Sequence, residues 1–297
     1  MMVAKGLTGM WVLYAFCSAL FAGLTAVLAK IGIANVNSHL ATAIRTIVVV
    51  VFAWVIVLIV GSGTTIAAIE GKSWLFLILS GLATGASWIC YFRALQLGNV
   101  NQVAPVDKSS TVLTMLLAFI FLGEPLSANM LLGMLLILAG TYLMLQRQAT
   151  VEPAATGKGW LFWAVLSAVF ASLTAILGKI GITGVESNLG TAIRTVVVLV
   201  MAWIIVFAQG THKELPHIDK KSWLFLVLSG LATGSSWLFY YRALQEGQAS
   251  IVAPIDKLSI LVTVAFSALF LKEKLTARST LGLIILTLGT LLLLVKF

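Results

Sequence analysis

The 297-residue chain is 60% hydrophobic and 10% charged, with a formal net charge of +9. Soluble globular chains carry about 25% charged residues, and the apolar residues here gather in blocks of about 20, the length that crosses a bilayer as a helix, so a soluble domain is excluded and a transmembrane barrel, built of short alternating segments, does not fit. The 19 lysines and arginines lie singly at helix ends or inside apolar runs, not in one patch, which excludes a nucleic-acid surface.

The first apolar segment is predicted at residues 10–31. Lys5 ahead of it imitates a signal peptide. The run nevertheless continues to Ala29 and has a counterpart at Trp160–Gly178, so it reads as the first membrane helix. Four more segments follow at 39–60, 73–96, 102–122 and 127–146. The longest link, Gln146–Gly159, carries Glu152, Pro153 and Gly157 and marks a boundary. Five further segments lie at 159–180, 188–208, 222–245, 251–271 and 276–295. The predicted organisation is a first repeat at 1–148, a linker at 149–158 and a second repeat at 159–297.

One offset of 149 residues, without gaps, relates the halves: Lys30 recurs as Lys179, Arg45 as Arg194, Trp88 as Trp237, Arg93 as Arg242 and Asp107 as Asp256. Ser80-Gly81-Leu82-Ala83-Thr84-Gly85 returns from Ser229. Shared apolar composition does not place Trp, Arg, Asp, Lys and Pro in register, so the repeat reflects duplication and fusion. Each half has an odd number of segments. The second half must then enter the membrane from the opposite face, which predicts inverted-topology repeats about a pseudo-two-fold axis in the membrane plane. Both termini are then on the same side.

Charges inside these segments are expensive, roughly 2.5–3.5 kcal/mol each at a helix centre. Ala104-Pro105-Val106-Asp107-Lys108 and its echo Ala253-Pro254-Ile255-Asp256-Lys257 place a carboxylate and an ammonium within an apolar run. Arg45 and Asp107 enter from one face to similar depths, roughly 8–10 Å at the helical rise. Lys30, Arg45, Arg93, Asp107 and Lys108 are thus predicted to form one polar cluster, and Lys179, Arg194, Arg242, Asp256 and Lys257 its image from the other face. Blander readings stand beside this. Lys30, Lys179, Arg93 and Arg242 can snorkel to the interface, and an Arg45–Asp107 ion pair can be purely structural. Pro105 and Pro254 fit a first helical turn, or, if the helix starts earlier, free a carbonyl four residues back. Trp88 with Tyr91, and Trp237 with Tyr240, share helix faces and read either as pocket walls able to hold a cation or as an aromatic belt. Trp74, Trp160 and Trp223 open their segments and read as interfacial anchors, while Gly81, Gly85, Gly230 and Gly234 make small-residue packing faces.

Cys17 and Cys90 lack metal-ligand spacing and read as packing residues. No paired histidines, His-Glu-x-x-His or Gly-x-Ser-x-Gly pattern is present, so the chain is not read as an enzyme, and neither metal nor cofactor is expected.

Phe121-Leu122-Gly123-Glu124-Pro125-Leu126, followed by Leu132-Gly133 and Ile137-Leu138-Ala139-Gly140, resembles the end of an EamA domain of the drug/metabolite transporter superfamily. Leu271-Lys272-Glu273-Lys274-Leu275, with Gly282 and Leu288-Gly289-Thr290, is the second copy. The resemblance implies an all-α membrane protein of ten transmembrane helices, two inverted five-helix repeats around a central cavity, alternating access, and a small metabolite or drug as substrate. It also implies cytoplasmic termini and a bacterial inner (plasma) membrane. The basic residues Arg147, Lys158, Lys213, Lys220, Lys221, Lys272, Lys274 and Arg278 on one face, against Lys5, Lys72 and Lys296 on the other, argue instead for termini outside. Glu124 and Glu273, at helix ends, read as structural.

The leading expectation is a secondary transporter, exporter or exchanger, in the lipid bilayer as a monomer or homo-oligomer. Cations outnumber acids in each cluster, which favours an anionic or zwitterionic substrate. Asp107 and Asp256 are candidates for coupling to protons. A passive anion channel lined by the same cations is the alternative, with an integral-membrane enzyme behind it.

Overall fold

Backbone amides in an apolar run have no water to bond inside a bilayer, so such runs close their hydrogen bonds internally as helices. The structure, a computed structural model, describes residues 9–33, 36–97, 106, 109–144, 159–270 and 276–294. The described residues fold into α1 (Met10–Gly32), α2 (Ser38–Val60), α3 (Gly71–Leu97), α4 (Ser110–Leu122), α5 (Ala128–Met144), α6 (Gly159–Gly181), α7 (Ser187–Gln209), α8 (Lys220–Glu246), α9 (Ala249–Lys257), α10 (Ser259–Phe270) and α11 (Ala277–Leu292). The 6 helices α1, α2, α3, α6, α7 and α8 are long and apolar enough to cross a membrane, while α4, α5 and α11 are shorter. Large apolar side chains such as Leu58, Ile59 and Phe162 stand exposed on the outside, as a lipid-facing surface requires.

The helix ends repeat with the sequence. Asn37 caps α2 by accepting from the N–H of His39 at 2.9 Å, and its counterpart Glu186 caps α7 by accepting from Leu189 at 3.0 Å. Ser127 accepts from the N–H of Met130 and Thr276 from that of Ser279, each at 3.3 Å, at the starts of α5 and α11. These side chains satisfy donors that a helix start leaves open.

One predicted segment differs. The run expected at 251–271 is two helices, α9 and α10, parted at Leu258. Pro254 lies inside α9, not in its first turn. With no N–H it leaves the carbonyl of Ser250 without its intrahelical donor. The equivalent position in the first repeat, Ser109, has nearly the same backbone angles and directly precedes α4. Pro105 lies outside the described residues.

The repeats pack on each other more than within themselves. α1 lies along α8 and α3 along α6; α1 meets α10 and α6 meets α4; α2 pairs with α7 and α5 with α11. Each contact maps onto another, or onto itself, when the halves are exchanged, as in an isologous interface. Hydroxyls mark the seams. The Ser236 hydroxyl donates to the carbonyl of Ser18 at 3.1 Å, and the Ser87 hydroxyl to that of Ser167 at 3.1 Å.

Close crossings need glycine. A Cβ at Gly140 would stand 2.5 Å from the backbone N of Leu286 and 2.6 Å from the carbonyl of Gly282, and one at Gly289 would stand 2.7 Å from the Leu136 Cβ. Backbone cannot step aside, and overpacking costs about 1–3 kcal/mol. Gly140→Ala is therefore expected to lower the melting temperature in detergent by several degrees. Gly71→Ala, at an open position, leaves it near that of the parent.

Candidate functional site

The arginines are set by the helix crossings. A Cβ at Gly81 would stand 2.9 Å from the carbonyl of Arg194, and one at Gly230 would stand 2.9 Å from the carbonyl of Arg45. The glycines thus let α3 press onto α7, and α8 onto α2, at the arginine positions. Ser80 and Thr84, on either side of Gly81, thereby reach the Arg194 guanidinium, and Thr233, three residues after Gly230, reaches that of Arg45.

Arg194 is 1% exposed. Its Nε donates to Ser80 Oγ at 3.3 Å and an Nη to Thr84 Oγ1 at 2.7 Å. The Thr84 hydroxyl itself donates to the Ser80 carbonyl at 2.9 Å. The guanidinium lies 5.0 Å from the Trp237 ring centroid and 4.5 Å from that of Tyr241, within cation–π range. Arg45 is the less enclosed image. Its Nη donates to Thr233 Oγ1 at 2.9 Å, but its Nε is buried with no hydrogen-bond partner among the described residues. Among the described residues neither arginine has a carboxylate within ion-pair distance.

Two cavities adjoin at the centre. The larger, about 460 Å³, is lined by Arg45, Thr25, Thr42, Thr46, Tyr91 and Ser110 among others. The smaller, about 290 Å³, is lined by Arg194, Thr84, Thr174, Tyr240, Tyr241 and Asp256 among others. Ser87, Trp88, Ala171, Trp237 and Lys257 belong to both. Of the described side chains, three cations and one carboxylate therefore line the space. Asp256 accepts a hydrogen bond from Ser18 Oγ at 2.6 Å, and Ser18 Oγ lies 3.2 Å from Ser236 Oγ. The ion pair expected between Arg45 and Asp107 cannot be followed directly, since Asp107 and Lys108 lie outside the described residues. At the equivalent positions, Arg194 takes hydroxyl and aromatic partners and Asp256 takes a serine.

The structure thus gathers Arg45, Trp88, Tyr91, Arg194, Trp237, Tyr240, Asp256 and Lys257 around one space. Arg242 is elsewhere: it pairs with Glu246 at 2.8 Å, lies 6.0 Å from the Tyr14 ring and lines a lateral pocket with Phe52 and Phe239. Arg93 is exposed and is not on either cavity wall. Lys179 pairs with Glu124 at 3.2 Å and also donates to the carbonyl of Gly247. The side chain of Lys30 lies outside the described residues.

Sequence reasoning missed the hydroxyls. Ser18, Thr25, Ser80, Thr84 and Ser87 all recur at the 149-residue offset, as Ser167, Thr174, Ser229, Thr233 and Ser236. A hydroxyl kept in register within apolar helices is the signal that marks them, because unbonded it costs free energy there.

The two arginines should respond differently to truncation. Hydrogen bonds to a charged group contribute about 1.5–3 kcal/mol, and Arg194 also fills the space between two rings. Arg194→Ala is expected to lower the melting temperature by several degrees, and Arg45→Ala, which faces the larger cavity, by distinctly less. Thermal unfolding followed by tryptophan fluorescence checks this.

Comparison with known proteins agrees with this architecture. A solved crystal structure superposes with a TM-score of 0.73 over 95% of this chain and 96% of that one, at 16% identity, which speaks to the fold alone. A protein of Sinorhizobium sp, named as the uncharacterized transporter in the cobO 3' region, is 50% identical over 136 residues, 46% of this chain and 96% of that relative, so that relative is about one repeat long. Human solute carrier family 35 member G1 is 29% identical over 66% of this chain and 55% of its own length. The EamA-like transporter family model matches twice, over residues 9–146 and 158–295. Residues, architecture and relatives converge: the chain belongs to the EamA-like transporter family and is a membrane transporter.

Proposed function

We propose that the chain is a secondary active transporter that carries a small anionic or zwitterionic molecule through the central cavity by alternating access. The observation that carries this reading is the state of Arg45. A guanidinium whose buried Nε has no hydrogen-bond partner among the described residues faces a cavity of about 460 Å³ beside Lys257, a volume within the range of small-molecule sites. A buried polar donor without a partner costs free energy. A carboxylate or phosphate entering there supplies an acceptor and a negative charge together. Trp88, Tyr91 and Trp237 give its apolar body a wall.

In this reading the protein has ten membrane helices as two inverted repeats. The contacts support inversion. Gln245 near the end of α8 donates to the carbonyls of Ile182 and Val185, at 3.1 and 2.6 Å, just beyond the end of α6. Gly247, at the same end of α8, lies against the Trp11 indole near the start of α1. The finish of α6 and the start of α1 thus fall near the same end of α8, which supports opposite directions for these equivalent helices. Both termini then lie on one side of a bacterial inner membrane. Asp256, the one described carboxylate on the cavity wall, is the coupling group, taking up or releasing a proton as the substrate anion comes and goes.

Proteoliposomes containing a pH dye test this reading with amino acids, organic acids, sugar phosphates, nucleobases and cationic drugs added in turn. Saturable uptake of an anionic or zwitterionic compound is expected, reduced at least about tenfold by Arg45→Gln, the loss of a guanidinium–anion contact of about 1.5–3 kcal/mol. Asp256→Asn should abolish the accompanying pH change while counterflow of labelled substrate persists. Channel-sized unitary currents without saturation would sink the carrier reading.

A further inference from the structure

Glu124 follows the glycine that ends α4. Gly123 has φ 64° and the Glu124 N–H bonds back to the Ala118 carbonyl at 3.3 Å, which reverses the chain at the helix end. The reversal turns the Glu124 side chain inward, where it is 7% exposed. Its carboxylate reaches across to the second repeat. It accepts the N–H groups of Ala249 at 2.7 Å and Ser250 at 2.9 Å, and the Ser250 hydroxyl at 2.5 Å. The Lys179 ammonium completes the set at 3.2 Å and ties in the carbonyl of Gly247.

Four donors thus converge on one buried carboxylate, from the end of α6 and from the first turn of α9. The negative charge sits where the helix dipole and the open N–H groups of α9 favour it. α9 is short, and its last residues, Asp256 and Lys257, are on the cavity wall. Anything that frees the first turn of α9 therefore reaches the cavity wall along one nine-residue helix.

The position of this cluster in the bundle gives it a further consequence. α7 starts near the end of α6, and Arg194 lies seven residues into it, roughly 10 Å along the helix. The smaller, Arg194-lined cavity is therefore the one nearer Glu124. The larger cavity holds Thr42 and Arg45, from the first turns of α2. α2 begins where α1 ends, at the other face. The cluster thus closes the end of the bundle next to the caged arginine.

We infer that Glu124 is the keystone of a latch between the repeats that seals the cavity at the face bearing the α9 N-terminus, and that opening toward that face requires Lys179 and the first turn of α9 to leave its carboxylate. The latch rests on the transporter reading above. It assigns to Glu124 a positioning role in access, without contact to the substrate.

Access can be measured without knowing the substrate. Ala171, which borders both cavities, is replaced by Cys in a chain carrying Cys17→Ser and Cys90→Ser. Thr183→Cys and Lys213→Cys, beyond the two ends of α7, identify the latch face and the opposite face in separate preparations. A membrane-impermeant maleimide is applied to right-side-out and inside-out membrane vesicles. With the latch intact, Ala171→Cys should react mainly from the opposite face. Glu124→Gln should raise its reaction from the latch face about tenfold, as expected for a shift of population between two states, with no matching rise from the other face. Lys179→Met, which leaves Glu124 on α9, should do the same to a smaller extent and keeps the test open if Glu124→Gln does not fold. The exchanged pair Glu124→Lys with Lys179→Glu should not restore closure, because the α9 amides need an acceptor at that place. Unchanged latch-face labelling in both single variants, an equal rise from both faces, or closure restored by the exchange would overturn the latch. A residue 171 cysteine beyond reach from either face in every chain would overturn the transporter reading itself.

Discussion

A guanidinium enclosed in a membrane-spanning bundle must be solvated by something other than water, and much of this structure follows from how that is done for Arg194. No described carboxylate neutralises it. Two hydroxyls and two aromatic faces surround it instead. This leaves the positive charge in place while spreading its cost over several weak partners. An ion pair would have cancelled the field of the arginine, whereas hydroxyls and rings leave it able to act on an anion in the adjoining space.

That solvation depends on backbone proximity, and backbone proximity depends on glycine. The Gly81 crossing lets Ser80 and Thr84 of one repeat reach an arginine of the other. Among the described residues each arginine takes its hydroxyl partners from the opposite half: Arg194 from Ser80 and Thr84 on α3, Arg45 from Thr233 on α8. The same exchange places Glu124 of the first repeat on α9 of the second. A five-helix half of this sequence lacks the hydroxyls that the opposite half gives its arginine, and the second half lacks the carboxylate on the first turn of α9. The half-length relative must take the missing side chains from a second chain if it builds the same centre.

Much of this was legible in the sequence. The apolar blocks gave the helices, since in a bilayer the backbone has few alternatives. The 149-residue offset picked out Arg45, Trp88, Arg194, Trp237 and Asp256, because charge and indole repeated in register are improbable in lipid-facing sequence. What was not legible was direction. Arg242 and Arg194 are both arginines in apolar surroundings, and only the rotation of α8 sends Arg242 to Glu246 and Tyr14 rather than into the cavity. Lys179 fitted both a cluster residue and a snorkelling one, because its partner is 55 residues away in the other repeat, at a helix end whose fold-back depends on one positive φ at Gly123. The break at Leu258 was hidden as well, since the apolar run continues through it without a turn residue.

Similar repeats in unlike surroundings carry an energetic implication. Were the halves identical, the arrangement with Arg194 caged and its mirror with Arg45 caged would have equal free energy, and neither would dominate. Under the alternating access proposed above, the differences between the halves set the resting state. They fall at telling places. The ring over Arg194 is Tyr241, and its counterpart is Phe92; the hydroxyl donor to Glu124 is Ser250, and its counterpart is Asn101. Tyr241 and Ser250 each supply a partner to a buried charge, the kind of contact worth about 1–3 kcal/mol, and each such increment moves a two-state population by about fivefold or more. In the proposed carrier, a duplicated chain can in this way keep a reversible cycle, which near-symmetry makes cheap, while unmatched residues beside its buried charges decide which face it opens to at rest.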